Sequence, residues 1–293
     1  MSHPRVLIII LQYNNSKDTI NCLDSVLSLN YPNFEILVVD NHSDTEHLAK
    51  VEKFINSRAD SHIKLQISES NLGYSGGNNL GIKYALENDA DYIWILNNDT
   101  SVEINSLLKL VEAGEKNQKI GILSPILDEG NRRVYGGKIK WLKSELAHSI
   151  QKLEINHYIP GTAMLLRSEM VKKIGFLDER YFLYFEDAEY SMRAQKAGYK
   201  LEAVTGSLVY HAVSNTTKKL GSPVLLRYHY RNAHIFNIDN GPLWAKIILP
   251  FWSIFIIIKQ LAKIIFMPAK RSISRAILMG VLDFYFGRYG KMR

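Results

Sequence analysis

The first hundred residues alternate between short apolar runs and stretches of helical periodicity, and this alternation restricts the possible folds more than any other feature. The apolar runs predict four strands, at Val6–Leu11, Phe34–Val39, Ile63–Ile67 and Tyr92–Leu96. The segments between them, about 16–29, 44–57 and 76–87, have the length and spacing of helices. Such alternation predicts an α/β fold with a Rossmann-like, mostly parallel central sheet and helices on both faces.

Ligands of parallel sheets bind where the strands end at their carboxyl edge. Chemistry is therefore expected in the residues that follow the strands, which are Tyr13-Asn14-Asn15, Asp40-Asn41-His42-Ser43 and Asn97-Asn98-Asp99. Asp40 suits a hydrogen bond to a nucleobase or ribose, and it equally suits a cap for the next helix. The chain lacks the G-x-G-x-x-G pattern after its first strand and lacks a G-x-x-x-x-G-K-[ST] loop, which argues against dinucleotide-binding and P-loop proteins.

The segment 71–81 is rich in Gly and Asn and opens the third predicted helix. It contains Asn71, Gly73, Gly77 and Asn78. Small residues at a helix N-terminus let backbone N–H groups approach an anion closely. A tight turn that needs small residues is the alternative. The amount of Gly and Asn favours the anion-binding interpretation.

Asp99 follows the fourth predicted strand, where a carboxylate is well placed to hold a hard divalent cation. A single carboxylate provides too few ligands for a metal ion, so the cation also needs diphosphate oxygens and a second protein ligand. His211, which follows the apolar run 208–210, is a candidate for that ligand. A lone histidine is more often a structural residue, and the pattern alone leaves both roles open.

The segment 177–193 places acids among aromatic residues, including Asp178, Glu186, Asp187 and Glu189. An apolar setting raises the pKa of a carboxyl group and makes its carboxylate a better proton acceptor. The alternative is a helix N-terminus with acids in its first turn. The residues by themselves favour neither interpretation.

The net charge of +7 is concentrated at the C-terminal end of the chain. Residues 244–293 hold nine Lys or Arg and one acid, Asp283, which gives a net charge of +8. The other 243 residues hold 27 bases and 28 acids, a net charge of −1. A near-neutral body argues against binding of nucleic acid.

The basic tail, 241–293, is predicted to form amphipathic helices. Its apolar run Ile247–Ile258 has twelve residues, fewer than the roughly 20 that a membrane-spanning helix needs. Apolar faces with Trp, Phe and flanking Lys and Arg favour helices that lie in a membrane interface. The alternatives are helices that pack on the core with a solvated basic face, and a spanning or re-entrant segment.

Cysteine usage and the N-terminal pattern predict a cytoplasmic protein. Cys22 is the only cysteine, which excludes an intramolecular disulfide and a Cys-rich zinc site. The apolar run Val6–Leu11 is short and leads into polar residues, unlike the corresponding part of a signal peptide.

In their order along the chain, these segments resemble glycosyltransferase family 2, the inverting GT-A transferases, from the first strand to about residue 235. The resemblance is carried by Val6–Asn15, Val38–Asn41, Asn71–Gly81, Leu96–Thr100, Phe182–Arg193 and His211. The forms Gly76-Gly77-Asn78-Asn79 and Asn97-Asn98-Asp99-Thr100 are most similar to the rhamnosyltransferase-like branch that builds bacterial surface polysaccharides. Tyr230-Arg231-Asn232 resembles another recurrent element of that branch.

The resemblance implies a nucleoside-diphosphate sugar donor, a divalent cation (Mg²⁺ or Mn²⁺) and a saccharide acceptor that is linked to polyprenyl diphosphate. Donor-binding roles are implied for Tyr13, Asn15, Asp40, Asn41, Asn71, Gly73, Gly77, Asn78 and Asn98. Asp99 and His211 would be metal ligands, and Asp187 would be the catalytic base of a pair with Glu186. Two positions depart from the family pattern, since Asn97 replaces the first acid of the D-x-D motif and Gly77 stands where many relatives have Arg.

We therefore predict a GT-A domain at 1–240 and a basic helical tail at 241–293. The domain would comprise a nucleotide-binding half, 1–100, and an acceptor-binding half, 101–240. The tail would hold the enzyme on the inner face of the cell membrane. Two alternatives are a non-catalytic protein that binds sugar nucleotides or lipids, and a metal-dependent nucleotidyltransferase. The nucleotidyltransferase is disfavoured because 12–15 lacks the Gly-rich basic loop usual in that class.

Overall fold

The computed structural model describes residues 3–58, 62–143, 146–149, 157–211 and 222–292. Its strands are β1 Val6–Gln12, β2 Phe34–Asp40, β3 Ile63–Ile67, β4 Tyr92–Asn97, β5 Thr100–Val102, β6 Ile120–Asp128, β7 Arg133–Val134, β8 Gly136–Lys138, β9 Ala147–Ser149, β10 His157–Tyr158, β11 Ala163–Arg167 and β12 Lys200–His211. Its helices are α1 Ser16–Leu27, α2 Thr45–Arg58, α3 Gly73–Glu87, α4 Ser106–Lys116, α5 Ser168–Ile174, α6 Glu186–Lys196, α7 Pro223–Asn240, α8 Leu243–Phe266 and α9 Arg271–Tyr285, with a 3₁₀ turn at Pro268–Lys270.

The central sheet has nine strands among the described residues, in the order β3-β2-β1-β4-β11-β6-β12-β5, with β7 paired to β6. β1 is parallel to β2 and to β4, and β2 is parallel to β3, so the first half of the sheet is parallel as predicted. β11 enters between β4 and β6 in the antiparallel direction. The small strands β8, β9 and β10 form a separate sheet.

Helices cover both faces of the sheet, which confirms the predicted fold class. Successive strand residues point to opposite sides, so β1 directs Ile8 and Ile10 into one core and Leu7 and Ile9 into the other. The first core includes residues of α1, α2 and α4, and the second includes residues of α3, α5 and α6. Each large apolar side chain buried in this way contributes about 1.5–3 kcal/mol. The two cores together fix the strand ends that form the site.

The four predicted strands of the first half agree with the observed strands to within one residue. Helix α3 differs, because it begins at Gly73 and not near 76. Gly73 has a φ of 74°, and a Cβ atom there would lie 2.4 Å from the carbonyl oxygen of Phe182. The glycine thus allows the chain to turn into the helix against a distant loop, and the Gly- and Asn-rich residues form the first turns of α3.

Helix α8 corrects the prediction about the length of the apolar tail segment. It has 24 residues and continues through Lys246 and Lys259, which bound the twelve-residue apolar run in the sequence. Long basic side chains do not end a helix, since their charged ends extend toward water while the stems cover apolar surface. Within the described residues, α8 is the one helix whose length and composition would allow it to cross a membrane.

Helix α9 packs directly against α7 in the body of the protein. At Gly280 the two backbones are so close that a Cβ atom would lie 2.4 Å from the carbonyl oxygen of Arg227. The buried carboxylate of Asp283 accepts hydrogen bonds from Arg227 Nε at 2.6 Å and Arg227 Nη2 at 3.0 Å. The only acid of the tail is therefore used in a buried ion pair, and the α9 end of the tail is joined firmly to α7.

Candidate active site

The carboxyl ends of β1 and β2 are joined by hydrogen bonds that form one edge of the site. Asn14 donates its backbone N–H to Ser43 Oγ at 3.0 Å, and Asp44 donates its backbone N–H to Asn14 Oδ1 at 2.7 Å. Asp40 is fully buried, and its Oδ1 accepts from the backbone N–H of Ser43 at 2.8 Å. Asp40 Oδ2 has no hydrogen-bond partner in the described part of the chain. Asp40 thus orders the turn before α2 and keeps one oxygen for another donor.

Asn41 and Asn71 hold the loop that leads into α3. The Asn41 amide donates to the Gly73 carbonyl at 2.9 Å and to Asn71 Oδ1 at 3.3 Å, and its oxygen accepts from Leu72 N–H. Asn71 Oδ1 also accepts from Gly73 N–H at 2.8 Å. These side chains are therefore engaged within the protein, and their role toward a donor is to shape the loop.

Gly77 and Asn78 lie inside α3 and are buried. A Cβ atom at Gly77 would lie 2.5 Å from Leu11 Cδ1 and 3.2 Å from Asn41 Nδ2. Gly77 therefore lets α3 pack closely on β1, which gives a structural reason for glycine at this position. Asn78 donates to the Tyr74 carbonyl at 2.9 Å, and its Oδ1 is buried without a partner among the described residues.

Asn98 and Asn15 lie where β1 and β4 end side by side. Asn98 Nδ2 donates to Thr19 Oγ1 at 2.9 Å, and Asn15 Nδ2 donates to Asp18 Oδ2 at 2.7 Å. Tyr13 follows β1 with 49% of its surface exposed. The structure therefore brings the predicted residues of the three strands to one edge, where Tyr13 is exposed.

Asp99 and His211 meet in a cleft of about 420 Å³. His211 Nε2 lies 3.4 Å from Asp99 Oδ1, and its Nδ1 lies 3.8 Å from Glu129 Oε1. β12 and β5 bring them together, since His211 stands opposite Thr100 in the sheet. The sequence predicted the first two residues and did not identify Glu129.

The donor set of this cleft fits a divalent cation that is shared with a ligand. Asp99 Oδ1 and His211 Nδ1 are buried without hydrogen-bond partners in the described residues. Within those residues, no group of three or more His, Cys, Asp or Glu side chains is arranged to hold a metal ion alone. Further oxygens, such as those of a diphosphate, are needed to complete the coordination.

The ionisation of His211 is balanced between burial and its acidic neighbours. Burial lowers the pKa of His211, but the carboxylates of Asp99 and Glu129 outweigh burial and raise the pKa above its usual value. A proton on the imidazole competes with a cation for the same nitrogen lone pair. Cation binding in this cleft is therefore expected to weaken as the pH falls.

Asp187 lies at the start of α6 and is held by two backbone N–H groups. Gly161 donates to Asp187 Oδ2 at 3.0 Å, and Ala188 donates to Asp187 Oδ1 at 2.8 Å. Burial raises the pKa of Asp187 to about 6, although the backbone N–H groups oppose this effect. A carboxyl group with this pKa is ionised at neutral pH and accepts a proton readily.

Glu186 is the buried neighbour of Asp187 in the sequence. Burial, together with the negative charge of Asp187, raises the pKa of Glu186 far above its usual value. Its Oε2 has no hydrogen-bond partner within the described ranges. Two carboxyl groups in one buried site oppose each other's ionisation in this way, which favours a single charge on the pair.

The residues just before this pair form a strained loop, 180–185, which we call the aromatic loop. Phe182, Tyr184 and Phe185 have φ values of 53°, 71° and 75°. This left-handed conformation is uncommon for residues with a side chain, and it costs on the order of 1–3 kcal/mol for each. Strain of this size persists only where the surrounding structure holds it, and it is typical of functional sites.

A short junction, Gly161–Thr162, connects Asp187 to the end of β4, which lies just before Asp99. Gly161 N–H binds Asp187, and the carbonyl of Thr162 accepts from the backbone N–H of Asn97 at 2.9 Å. Tyr74 donates its hydroxyl to the Gly161 carbonyl at 2.5 Å. Burial raises the pKa of Tyr74, and the charges of Glu186, Asp187 and Asp99 raise it further. The charges of both carboxylate sites therefore act on the same hydroxyl group, which indicates that the two sites are near each other.

Comparisons with known proteins agree with this geometry. Residues 7–175, more than half of the chain, match the model of glycosyl transferase family 2, and residues 92–286 match glycosyl transferase family group 2. The chain belongs to glycosyl transferase family 2. It is a rhamnosyltransferase-like glycosyltransferase, which supports neither the nucleotidyltransferase nor the non-catalytic alternative.

Two curated relatives and one solved structure illustrate the similarity. The dTDP-rhamnosyl transferase RfbF of Shigella flexneri is 24% identical over 78% of this chain and 79% of its own. The N-acetylglucosaminyl-diphospho-decaprenol L-rhamnosyltransferase of Mycobacterium tuberculosis is 25% identical over 72% of this chain and 76% of its own. The mannosyltransferase PcManGT of Pyrobaculum calidifontis, solved with GDP-Man and Mn²⁺, has a TM-score of 0.62 at 13% identity and covers 98% of this chain and 89% of its own. This structural similarity confirms the GT-A fold.

Replacing Asp99 with Asn tests whether the cleft holds a cation. The substitution removes the charged oxygen ligand, and we expect Mn²⁺ to bind at least about tenfold more weakly in the presence of UDP or dTDP. Isothermal titration calorimetry measures this affinity. Asp128→Asn is the matched control, because it removes the same charge from the same cleft. Equal Mn²⁺ affinity in Asp99→Asn and wild type would contradict the assignment.

Proposed function

We propose that this protein is an inverting glycosyltransferase that moves a sugar from a nucleoside-diphosphate donor to a hydroxyl group of a lipid-linked saccharide in cell-surface polysaccharide synthesis. The buried carboxylate of Asp187 carries this proposal. It combines a pKa near 6 with a direct connection, through Gly161–Thr162, to the strand end where Asp99 and His211 meet. A proton acceptor is thereby fixed beside an anion-binding strand edge.

The donor would bind across the ends of β1, β2 and β4. Asp40 offers its unpartnered Oδ2 to a base or ribose N–H or O–H group, and the exposed ring of Tyr13 offers a face to the base. Asn15 and Asn98 line the neighbouring strand ends. Asn41, Asn71, Gly73, Gly77 and Asn78 act indirectly, because they set the shape of the loop and of the first turns of α3.

A divalent cation, Mg²⁺ or Mn²⁺, would be held by Asp99 and His211 together with the diphosphate of the donor. When bound, it neutralises the charge that develops on the leaving diphosphate. Glu129 lies behind His211 and stabilises its orientation by charge, as carboxylates commonly do for metal-bound histidines. The side chain of Asn97 is neutral and adds no charge to the cation site. Its backbone N–H donates to the carbonyl of Thr162.

Asp187 acts as the general base. Its carboxylate accepts the proton of the acceptor hydroxyl while that oxygen attacks the anomeric carbon from the face opposite the diphosphate. The new bond forms as the bond to the diphosphate breaks, so a single displacement inverts the anomeric configuration. Glu186 keeps its own proton, and its neutral form avoids a second buried charge beside Asp187.

The tail provides a surface that suits a membrane-bound acceptor. α8 buries Ala245, Leu249, Ser253, Ile256 and Gln260 against the body. Its other side exposes large apolar residues, namely Leu243, Trp244, Ile247, Ile248, Phe251, Ile254, Phe255, Ile258, Leu261, Ile265 and Phe266. A helix that is apolar on both sides needs a second apolar partner, and nearby Lys and Arg favour an anionic lipid surface.

We further propose that the protein is cytoplasmic and peripheral on the inner face of the cell membrane. The nucleotide-binding half, 1–100, and the acceptor-binding half, 101–240, would then meet at the Gly161–Thr162 junction. Polyprenyl diphosphate is an apolar chain with a negative head, so the exposed face of α8 and the tail charge of +8 are complementary to both of its parts.

Asp187→Asn is expected to fold normally and to lose sugar transfer by at least about 100-fold, because an amide cannot accept the proton. Transfer is measured with a panel of UDP- and dTDP-sugars and a lipid-linked acceptor, and circular dichroism checks the fold. Glu186→Gln is the matched control, and its rate should fall less because glutamine resembles the neutral acid. Near-normal turnover by Asp187→Asn would refute this role.

The pH profile of the wild type provides an independent check of the same role. Asp187 must be ionised to act, so kcat should decline below pH 6 and be about tenfold lower one unit below its pKa of about 6. A profile that stays flat down to pH 4.5 would show that another group accepts the proton.

Membrane contact is tested by substitutions on the exposed face of α8, since deletion of the whole tail would also remove the packing of α9 on α7. The double variant Phe251→Gln, Ile258→Gln should bind vesicles of anionic phosphatidylglycerol at least tenfold more weakly. Burial of each apolar side chain in the bilayer contributes about 1.5–3 kcal/mol to the binding free energy, and the variant loses both contributions. Vesicle flotation measures the bound fraction. Ile104→Gln, at an exposed apolar site on the body, is the control. Equal flotation of all variants would contradict the proposal.

A further inference from the structure

The segment Tyr230-Arg231-Asn232 has no part in the proposed chemistry, yet it is built around polar side chains that are almost completely buried. Arg231 is 1% exposed and Asn232 is fully buried, in the middle of α7. Burial of a guanidinium and an amide is costly unless hydrogen bonds satisfy them. Their partners therefore reveal what this helix holds in place.

Asn232 binds the strained aromatic loop directly. Its amide nitrogen lies 2.7 Å from the carbonyl oxygen of Tyr181, 2.8 Å from that of Leu183 and 2.9 Å from that of Tyr184. Two N–H groups are thus shared among three carbonyls of the loop. No aliphatic side chain of similar size could bind these three carbonyls of the loop.

Arg231 joins the same loop to the end of the chain. Its Nη2 donates to the carbonyl of Arg180 at 3.2 Å, and its Nη1 donates to the carbonyls of Gly290 at 2.7 Å and Arg288 at 3.2 Å. Its Nε donates to Asn232 Oδ1 at 2.9 Å, which fixes the orientation of the amide. We call the residues 288–292 the terminal segment.

Further contacts connect α7, the aromatic loop and the terminal segment. Gly290 donates its N–H to the Arg180 carbonyl at 2.9 Å, and Met292 donates its N–H to Tyr228 Oη at 2.9 Å. The ring of Tyr228 stacks on Phe182 with centroids 5.3 Å apart. The terminal segment thus closes a set of contacts that begins at the loop before Asp187.

We propose that Arg231 and Asn232 are positioning residues for Asp187, and that the terminal segment is the third part of the same clamp. This inference rests on the proposed function for the role of Asp187. The loop precedes Asp187 directly, and its left-handed residues need external restraint to persist. Because the terminal segment follows α9, the clamp also links the catalytic pair to the membrane-facing tail.

The restraint from the terminal segment comes from backbone atoms, and this permits a sharp test. A chain that ends at Gly287 loses the carbonyls of Arg288 and Gly290 and the N–H groups of Gly290 and Met292, but it keeps α9 and the packing of Gly280. Tyr289→Ala is the matched control, because it removes an exposed side chain from the same segment and leaves those backbone groups in place. Asn232→Asp, which removes the amide donors, is a second variant.

The assay uses detergent-solubilised acceptor without vesicles, so that lipid binding does not contribute. We expect the shortened chain and Asn232→Asp to lose kcat by at least about tenfold while the KM for the donor stays within about twofold, since small displacements of a catalytic group are costly in rate. Water entering a loosened loop should also move the acid limb of the kcat profile to lower pH. Tyr289→Ala should behave as wild type.

Hydrogen exchange measured by mass spectrometry separates the clamp from the proposed function. The amides of the aromatic loop should exchange faster in the shortened chain than in wild type, whereas those of β1 and β4 should not change. Wild-type kcat, an effect confined to donor KM, an equal loss in Tyr289→Ala, or unchanged exchange in the loop would each overturn the clamp. If the wild type transfers no sugar, the proposed function fails, and the exchange rates of the loop still decide the clamp.

Discussion

The junction Gly161–Thr162 is the constraint on which the active site depends. Gly161 binds Asp187, the proposed base, and Thr162 binds Asn97 at the end of β4, two residues before Asp99. A Cβ atom at Gly161 would lie 2.7 Å from the Tyr74 hydroxyl, so glycine allows this hydroxyl to approach closely. Through these contacts, α3, β4 and α6 all meet the junction. The proposed donor-binding edge and the proposed base Asp187, which are distant in the sequence, therefore lie near each other.

Burial gives this arrangement its chemistry. Burial raises the pKa of Asp187 to about 6, and burial together with the negative charge of Asp187 raises the pKa of Glu186 well above its usual value. The energetic cost of holding that charge, and of the left-handed residues before it, is met by the surrounding structure. The polar centre of α7 and the end of the chain supply part of that support. The tail therefore serves two purposes in our account, since α8 offers a lipid-facing surface and the segment after α9 braces the catalytic loop.

Much of the fold could be predicted from the sequence because the first half consists of buried parallel strands. Such strands appear as continuous apolar runs, and all four were located to within one residue. The site residues at the strand ends followed from the same rule, because the carboxyl ends of parallel strands share an edge. That Asp99 and His211 lie together was expected from the family resemblance, and the structure places them 3.4 Å apart.

Other features could not be seen in the sequence because they depend on backbone groups or on distant partners. Gly161 acts through its N–H group, which every residue type except proline has, so no side-chain pattern marks it. Glu129 gains its place near His211 only through the pairing of β6 with β12. The length of α8 was underestimated because Lys246 and Lys259 were taken as its limits. For Asn41 and Gly77, predicted to bind the donor, the structure adds contacts within the protein, since Asn41 binds the Gly73 carbonyl and Gly77 packs against Leu11 of β1.

The stereochemistry of the first product tests the central claim most directly. A single displacement, with Asp187 as base, gives a product whose anomeric configuration is opposite to that of the donor. Proton NMR of the anomeric signal, recorded with the purified enzyme, a nucleotide sugar of known configuration and a lipid-linked acceptor, determines this outcome. We predict inversion. Retention of the donor configuration would contradict our account, because it requires two displacements or a front-face mechanism that this site does not provide for.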